Sequence, residues 1–237
     1  MLTMCPRQIA RLVAVVLLTA CGLLSAPIPI ASAQCPDVEA VFARGTGEPP
    51  GVGVTGQPFV DSLRSAVGAK SLDVYPVNYE ASSNFSDRIA FAQSFVDGIK
   101  DAGSHIEATA ANCPKTRIVL GGYSQGAAVA GSVTSASIPA GIPAEYVQFL
   151  PKPMPPEVAN HVAAVTLFGT PSAAWLQNYG APAIVIGPLY VPKTLELCAA
   201  GDTICDGEAG GAPSFAHVEY PVNGMTAQAA DFAASHL

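Results

Sequence analysis

Five short, largely apolar runs punctuate the chain: Val38 to Ala43, Leu72 to Val77, Thr116 to Gly121, Val162 to Phe168 and Lys193 to Cys198. Their length and composition suit strands buried on both faces. Helical patterns lie between them. Pro58 to Val67 starts with a proline, a residue favoured in a first turn. Ser86 to Asn112 repeats apolar residues at Ile89, Ala92, Phe95, Val96, Ile99 and Ile106, a helical spacing. Further helices are predicted from Gln125 to about Ala136 and from about Met225 to His236, the latter with a stripe of Met225, Ala229 and Phe232. This alternation predicts an α/β fold: a mainly parallel sheet flanked by helices on both faces. The working crevice of such a sheet lies beyond the carboxyl ends of its strands, where the loops after Ala43, Gly121, Phe168 and Cys198 gather.

The first 33 residues change the picture of where the chain works. They contain no acid, carry Arg7 and Arg11 early, run apolar from Leu12 to Leu24 and end in Ala31-Ser32-Ala33. That is the layout of a secretory leader with a small-x-small cleavage site. Its apolar run is too short for a bilayer, which needs about 20 residues. A rival reading takes Leu18-Thr19-Ala20-Cys21 as a lipoprotein signal, leaving a lipid anchor on Cys21. The start of the globular pattern fits cleavage after Ala33 better, so residues 34–237 are expected to form one domain.

Removing Arg7 and Arg11 moves the net charge from −7 to −9, which argues against nucleic acid as a partner. Four cysteines stay with the domain, Cys35, Cys113, Cys198 and Cys205, and an even number in an exported protein points to two disulfides. Of three pairings, the short Cys198 to Cys205 spacing favours a local bridge, with Cys35 then joined to Cys113. Zinc is a poor fit, because the C-x6-C spacing lacks the short knuckle of zinc sites.

Candidate chemistry centres on Gly122-Tyr123-Ser124-Gln125-Gly126, which joins an apolar run to a small-residue helix. A tight strand-to-helix turn exposes a serine hydroxyl above the sheet, and G-x-S-x-G is the sequence of such a turn. An activated serine needs a histidine and an orienting carboxylate. His105 falls within a predicted helix and His161 at the amino edge of a strand, whereas His217 lies in a loop that reaches the carboxyl edge. For the acid, Asp202 and Asp206 follow the last strand, with Glu208 and Glu219 as outsiders. Asp202 sits inside the loop that Cys198 and Cys205 would close, and closure holds the carboxylate still. The oxyanion donors are expected at the amide of Gln125 and in Ala43-Arg44-Gly45-Thr46-Gly47-Glu48, where Thr46 offers an amide and a hydroxyl. Ile204, Leu189, Tyr190 and Val191 are plausible apolar contacts for an acyl group.

Ala43-Arg44-Gly45-Thr46, Gly121 to Ala127, Cys198-x3-Asp202-x2-Cys205 and the following His217 together resemble the cutinase family, and more closely the cutinase-like secreted esterases of mycobacteria. The resemblance implies a small α/β-hydrolase with a five-stranded parallel core and a shallow site without a large lid. It also implies a Ser124, Asp202 and His217 triad, an oxyanion hole of Thr46 and Gln125, and bridges Cys35 to Cys113 and Cys198 to Cys205. Threonine replaces the serine of fungal cutinases at position 46, keeping the hydroxyl but restricting its rotamer. The expected activity is a serine esterase cleaving short to medium acyl esters through an acyl-enzyme, with no metal or cofactor. The expected partners are an ester or lipid substrate and transiently a lipid or polymer surface, and the protein is expected to be a secreted monomer. Competing readings are a non-catalytic secreted binding or antigenic protein, a phospholipase or thioesterase specialisation, and a serine peptidase.

Overall fold

Side-chain alternation within the strands sorts the apolar residues into two cores, one on each side of a single sheet. In β1 (Val38–Ala43) Val38, Ala40 and Phe42 join one core, and Val41 and Ala43 the other, as the two-residue period of a strand requires. The remaining strands are β2 (Leu72–Pro76), β3 (Arg117–Tyr123), β4 (Val162–Phe168) and β5 (Thr194–Leu197). They lie in the order β2-β1-β3-β4-β5, every neighbouring pair parallel. This computed structural model describes residues 35–207 and 212–237, so the leader, Cys21 and Glu208 lie outside the described residues. No helix among the described residues is long and apolar enough to cross a membrane.

Helix α1 (Gly53–Ala66) starts five residues before Pro58, so that proline lies inside the helix rather than in its first turn. A proline there forfeits one helical hydrogen bond. Burial of Thr55, Phe59, Val60 and Leu63 against the sheet outweighs that local cost. Helix α2 (Arg88–Asn112) begins where the Asp87 carboxylate accepts the Ala90 N–H at 3.0 Å, a side-chain cap that the apolar period could not locate. Helix α3 (Gln125–Val133) stops short of Ala136, with the Thr134 hydroxyl donating to the Gly131 carbonyl at 2.6 Å. The short α4 (Ala144–Val147) and α5 (Ala173–Asn178) were not legible as helices, and α6 (Met225–Ala234) closes the chain. Helices α1 and α6 cover one face of the sheet, α2 and α3 the other.

The buried face of α2 differs from the stripe read off the sequence. Ser94, Gly98, Ala102, Ile106 and Ala110 are buried, whereas Phe95, Val96 and Ile99 are half-buried and Ile89 is 80% exposed. Close packing explains it. A Cβ on Gly98 would lie 3.0 Å from Tyr79 and 3.2 Å from Val129, so at this crossing only a residue without a side chain fits between α2 and its neighbours. Bridges join Cys35 to Cys113 and Cys198 to Cys205.

Candidate active site

Strand β3 ends at Tyr123 and α3 begins at Gln125, which leaves Ser124 alone to turn the chain. Its φ of 53° and ψ of −116° are rare for a residue with a side chain, and such conformations persist only where the surroundings enforce them. Two close approaches do so. A Cβ on Gly122 would sit 2.1 Å from the Gly126 carbonyl oxygen, and one on Gly126 would sit 2.0 Å from that of Ala43. The Ser124 N–H donates to the Phe168 carbonyl at 2.8 Å, tying the turn to β4.

The loop after β5 brings Asp202 to the same edge. Its N–H donates to Ala199 at 2.9 Å, and the Cys198–Cys205 bridge closes around it. The carboxylate is fully buried and accepts from three donors: His217 Nδ1–H at 2.9 and 2.8 Å from its two oxygens, the Ile204 N–H at 3.0 Å and the Tyr220 hydroxyl at 2.6 Å. Burial pushes the carboxyl up. The hydrogen bonds from His217, Tyr220 and Ile204 outweigh it and hold Asp202 below the usual 3.8. Cys198, Asp202 and Cys205 cluster as metal sites do, but both sulfurs are consumed by the bridge.

His217 sits in a single 3-10 turn, Phe215–Val218, and is buried. With Nδ1–H committed to Asp202, Nε2 carries its lone pair toward Ser124 Oγ, 2.9 Å away. The ring is held from behind. Tyr123, the residue before the serine, donates its hydroxyl to the His217 carbonyl at 2.6 Å, and its ring lies 5.2 Å from the imidazole.

Thr46, Ser124, Gln125 and His217 line one cleft. As the first residue of α3, Gln125 has an N–H with no partner in its own helix. Its side-chain amide donates to the Ser82 carbonyl at 3.2 Å, which fixes its rotamer. The Thr46 loop is braced on both sides. Buried Arg44 donates to the carbonyls of Glu48, Val77, Tyr79 and Glu80, while the Glu48 carboxylate accepts the N–H groups of Gly45 at 2.5 Å and Val54 at 2.8 Å.

The other histidines lie apart from this edge. His105, on α2, places Nε2 2.9 Å from Glu39 Oε1 and stacks on Tyr75 at 3.4 Å, pinning the helix to the sheet. His161 offers its carbonyl to the Ile118 N–H at the opposite edge. Of the four apolar contacts read from the sequence only Ile204 lines the cleft; Leu189 and Val191 are exposed elsewhere and Tyr190 belongs to the core beneath α2 and α3. Loop residues carry no period, so nothing in the sequence sorted them.

Tyr220 escaped the sequence reading altogether. Fully buried, it donates to Asp202 and accepts the Ala199 N–H at 3.0 Å. Burial and the Asp202 carboxylate push its own hydroxyl far above the ordinary tyrosine value, keeping it a donor. Its only signal was a tyrosine three residues past the candidate histidine. Tyr220→Phe removes a charge-assisted bond and strands the Ala199 amide. The expected result is a roughly ten-fold fall in kcat on a soluble ester with KM little changed, together with a lower melting temperature; unaltered kcat would assign Tyr220 to packing alone.

A family model described as Cutinase matches residues 34–237. The chain is 63% identical over 174 residues to a protein named probable carboxylesterase Culp7 of Mycobacterium tuberculosis, covering 73% of this chain and 89% of that one. It is 46% identical over 239 residues to carboxylesterase Culp1 of Mycobacterium bovis, covering 99% and 98%. Among solved structures it is similar to Trichoderma reesei cutinase in complex with a phosphonate inhibitor, with a TM-score of 0.56 and 31% identity over 85% of this chain and 75% of that one.

Proposed function

The chain belongs to the cutinase family of carboxylic ester hydrolases, and we propose that it cleaves esters through an acyl-enzyme on Ser124, working outside the cytoplasm after loss of residues 1–33. The observation that carries the reading is the imidazole of His217, with Nε2 2.9 Å from Ser124 Oγ and Nδ1 2.8 Å from Asp202 Oδ2. In the first step His217 takes the serine proton as Oγ attacks the ester carbonyl carbon, and the carbonyl electrons move onto the oxygen. The amides of Thr46 and Gln125, with the Thr46 hydroxyl, receive that negative charge. Asp202 stabilises the imidazolium formed at this moment without taking its proton. Collapse expels the alcohol, protonated by His217, and water attacks the acyl-enzyme with His217 again as base. The rigid Ser124 turn and the braced Thr46 loop support the reading, because a preformed site avoids reorganisation during reaction.

Two disulfides support an oxidising location. A fluorophosphonate provides the test: it is expected to label the purified protein once, on the peptide carrying Ser124, and to abolish p-nitrophenyl butyrate hydrolysis in proportion. Labelling elsewhere, or none, favours a binding protein on this fold. Appreciable turnover of the matching amide beside the ester would point to a peptidase.

A further inference from the structure

The cleft that begins at Ser124 continues well beyond the reacting centre, enclosing about 1260 Å3. That exceeds the roughly 300 to 1,000 Å3 usual for a small-molecule site. Helix α2 forms one wall. Phe91, Phe95, Ile99 and Gly103 stand four residues apart, and Val96 lies beside them, so they make one ridge along the helix. Ile138, Ile142, Leu150 and Met154 from the segment that follows α3 also line the cleft, as do Ala128 and Ser132 of α3. Phe91, Phe95, Val96 and Ile99 thus line the cleft, while Ser94, Gly98, Ala102 and Ile106 are buried in the interior. A helix that leaves two phenylalanines, a valine and an isoleucine on a cleft wall offers that surface to another apolar body.

Resting on the esterase reading above, we propose that this cleft is an acyl-chain site and that the enzyme takes esters of long fatty acids, beyond the short to medium chains a shallow groove would favour. Continuity with Ser124 identifies the occupant, since whatever lies in the cleft is the group attached to the carbonyl under attack. The length follows from the wall. From Phe91 to Gly103 a helix advances about 18 Å. Past Gly103 the next lining residues of the helix, Ser104 and Glu107, are polar. A staggered chain built from bonds of about 1.5 Å advances about 1.25 Å per carbon, so the apolar stretch holds about 14 carbons.

Gly103 marks the deep end, and the nearest atom to a Cβ built there is Met154 Cγ at 4.0 Å. Gly103→Leu therefore fills the end of the cleft at a position where a helix favours leucine over glycine. Rates of p-nitrophenyl butyrate, octanoate, myristate and palmitate hydrolysis in mixed micelles test the proposal, with calorimetric titration of free myristate as a second readout. In the native protein kcat/KM is expected to rise about ten-fold or more from butyrate to myristate and to level off at palmitate, each buried methylene offering up to about four-fold. Gly103→Leu is expected to lower the myristate to butyrate ratio about ten-fold, to weaken myristate binding, and to raise the melting temperature. A ratio unchanged by the substitution, or rates that fall beyond octanoate in the native protein, would overturn the acyl-chain site while leaving the Ser124 reading intact. Myristate binding that Gly103→Leu weakens, in a protein that hydrolyses none of these esters, would support the cleft and overturn the esterase reading.

Discussion

Ser124→Ala is expected to lower kcat/KM on p-nitrophenyl butyrate by about 10^4-fold or more, with the melting temperature held within a few degrees. The hydroxyl is the only atom lost. It contributes the covalent step, and removing a triad nucleophile leaves only what the oxyanion donors and binding supply. The fold loses little, since Ser124 is only half-buried and among the described residues its Oγ bonds to His217 alone. Alanine inherits the φ of 53° without relieving it, so no compensating gain in stability is expected. A variant that hydrolyses ester at a comparable rate would end the assignment of Ser124, and one that unfolds would show the turn to depend on the hydroxyl.

Asp202→Asn is expected to cost on the order of 10^3 to 10^4-fold in kcat through the wrong tautomer of His217. The Ile204 N–H points at Oδ1 and cannot turn away, so the asparagine keeps its oxygen there. Its NH2 then takes the place of Oδ2, 2.8 Å from Nδ1, and donates where a carboxylate accepted. The imidazole must carry its proton on Nε2, which can no longer take one from Ser124. Stability gives an independent reading. Because the folded carboxyl lies below its ordinary value, its contribution is complete above the unfolded pKa, near 3.8, and fades as pH falls through the folded one. The native protein is therefore expected to melt higher than Asp202→Asn at neutral pH, with the gap closing in acid below that range. A gap constant with pH would mean that the charge of Asp202 does not hold the loop, and native kcat in the variant would remove Asp202 from the mechanism.

Much of this was legible because it is local. Strand runs of the right length gave β1 and β4 their observed ends, and G-x-S-x-G between a strand and a helix placed the turn at Ser124. The loop position of His217 and the enclosure of Asp202 between two cysteines singled them out from their neighbours. Legibility fell where a decision depended on what lies across a gap. Pro58 read as a helix start by local preference, yet the helix begins five residues earlier, where Thr55 and Gly56 are buried. The stripe of α2 was read at the correct period, but its members divide: Ile106 joins the core, whereas Phe95, Val96 and Ile99 line the cleft. The period reports that large residues share a side, and only the close approach of Tyr79 and Val129 to Gly98 decides which side that is.

The sequence by itself determined the alternation of strands and helices, and with it the sheet edge at which Ser124, Asp202, His217 and Thr46 gather, because periodicity and chain order are properties of consecutive residues. The tertiary structure alone decided the distances at the His217 imidazole, the placing of the Tyr220 hydroxyl on Asp202, and the cleft opened by the large residues of α2. Each arises between segments remote in the chain, where close packing and the satisfaction of buried polar groups settle positions that no single segment can specify.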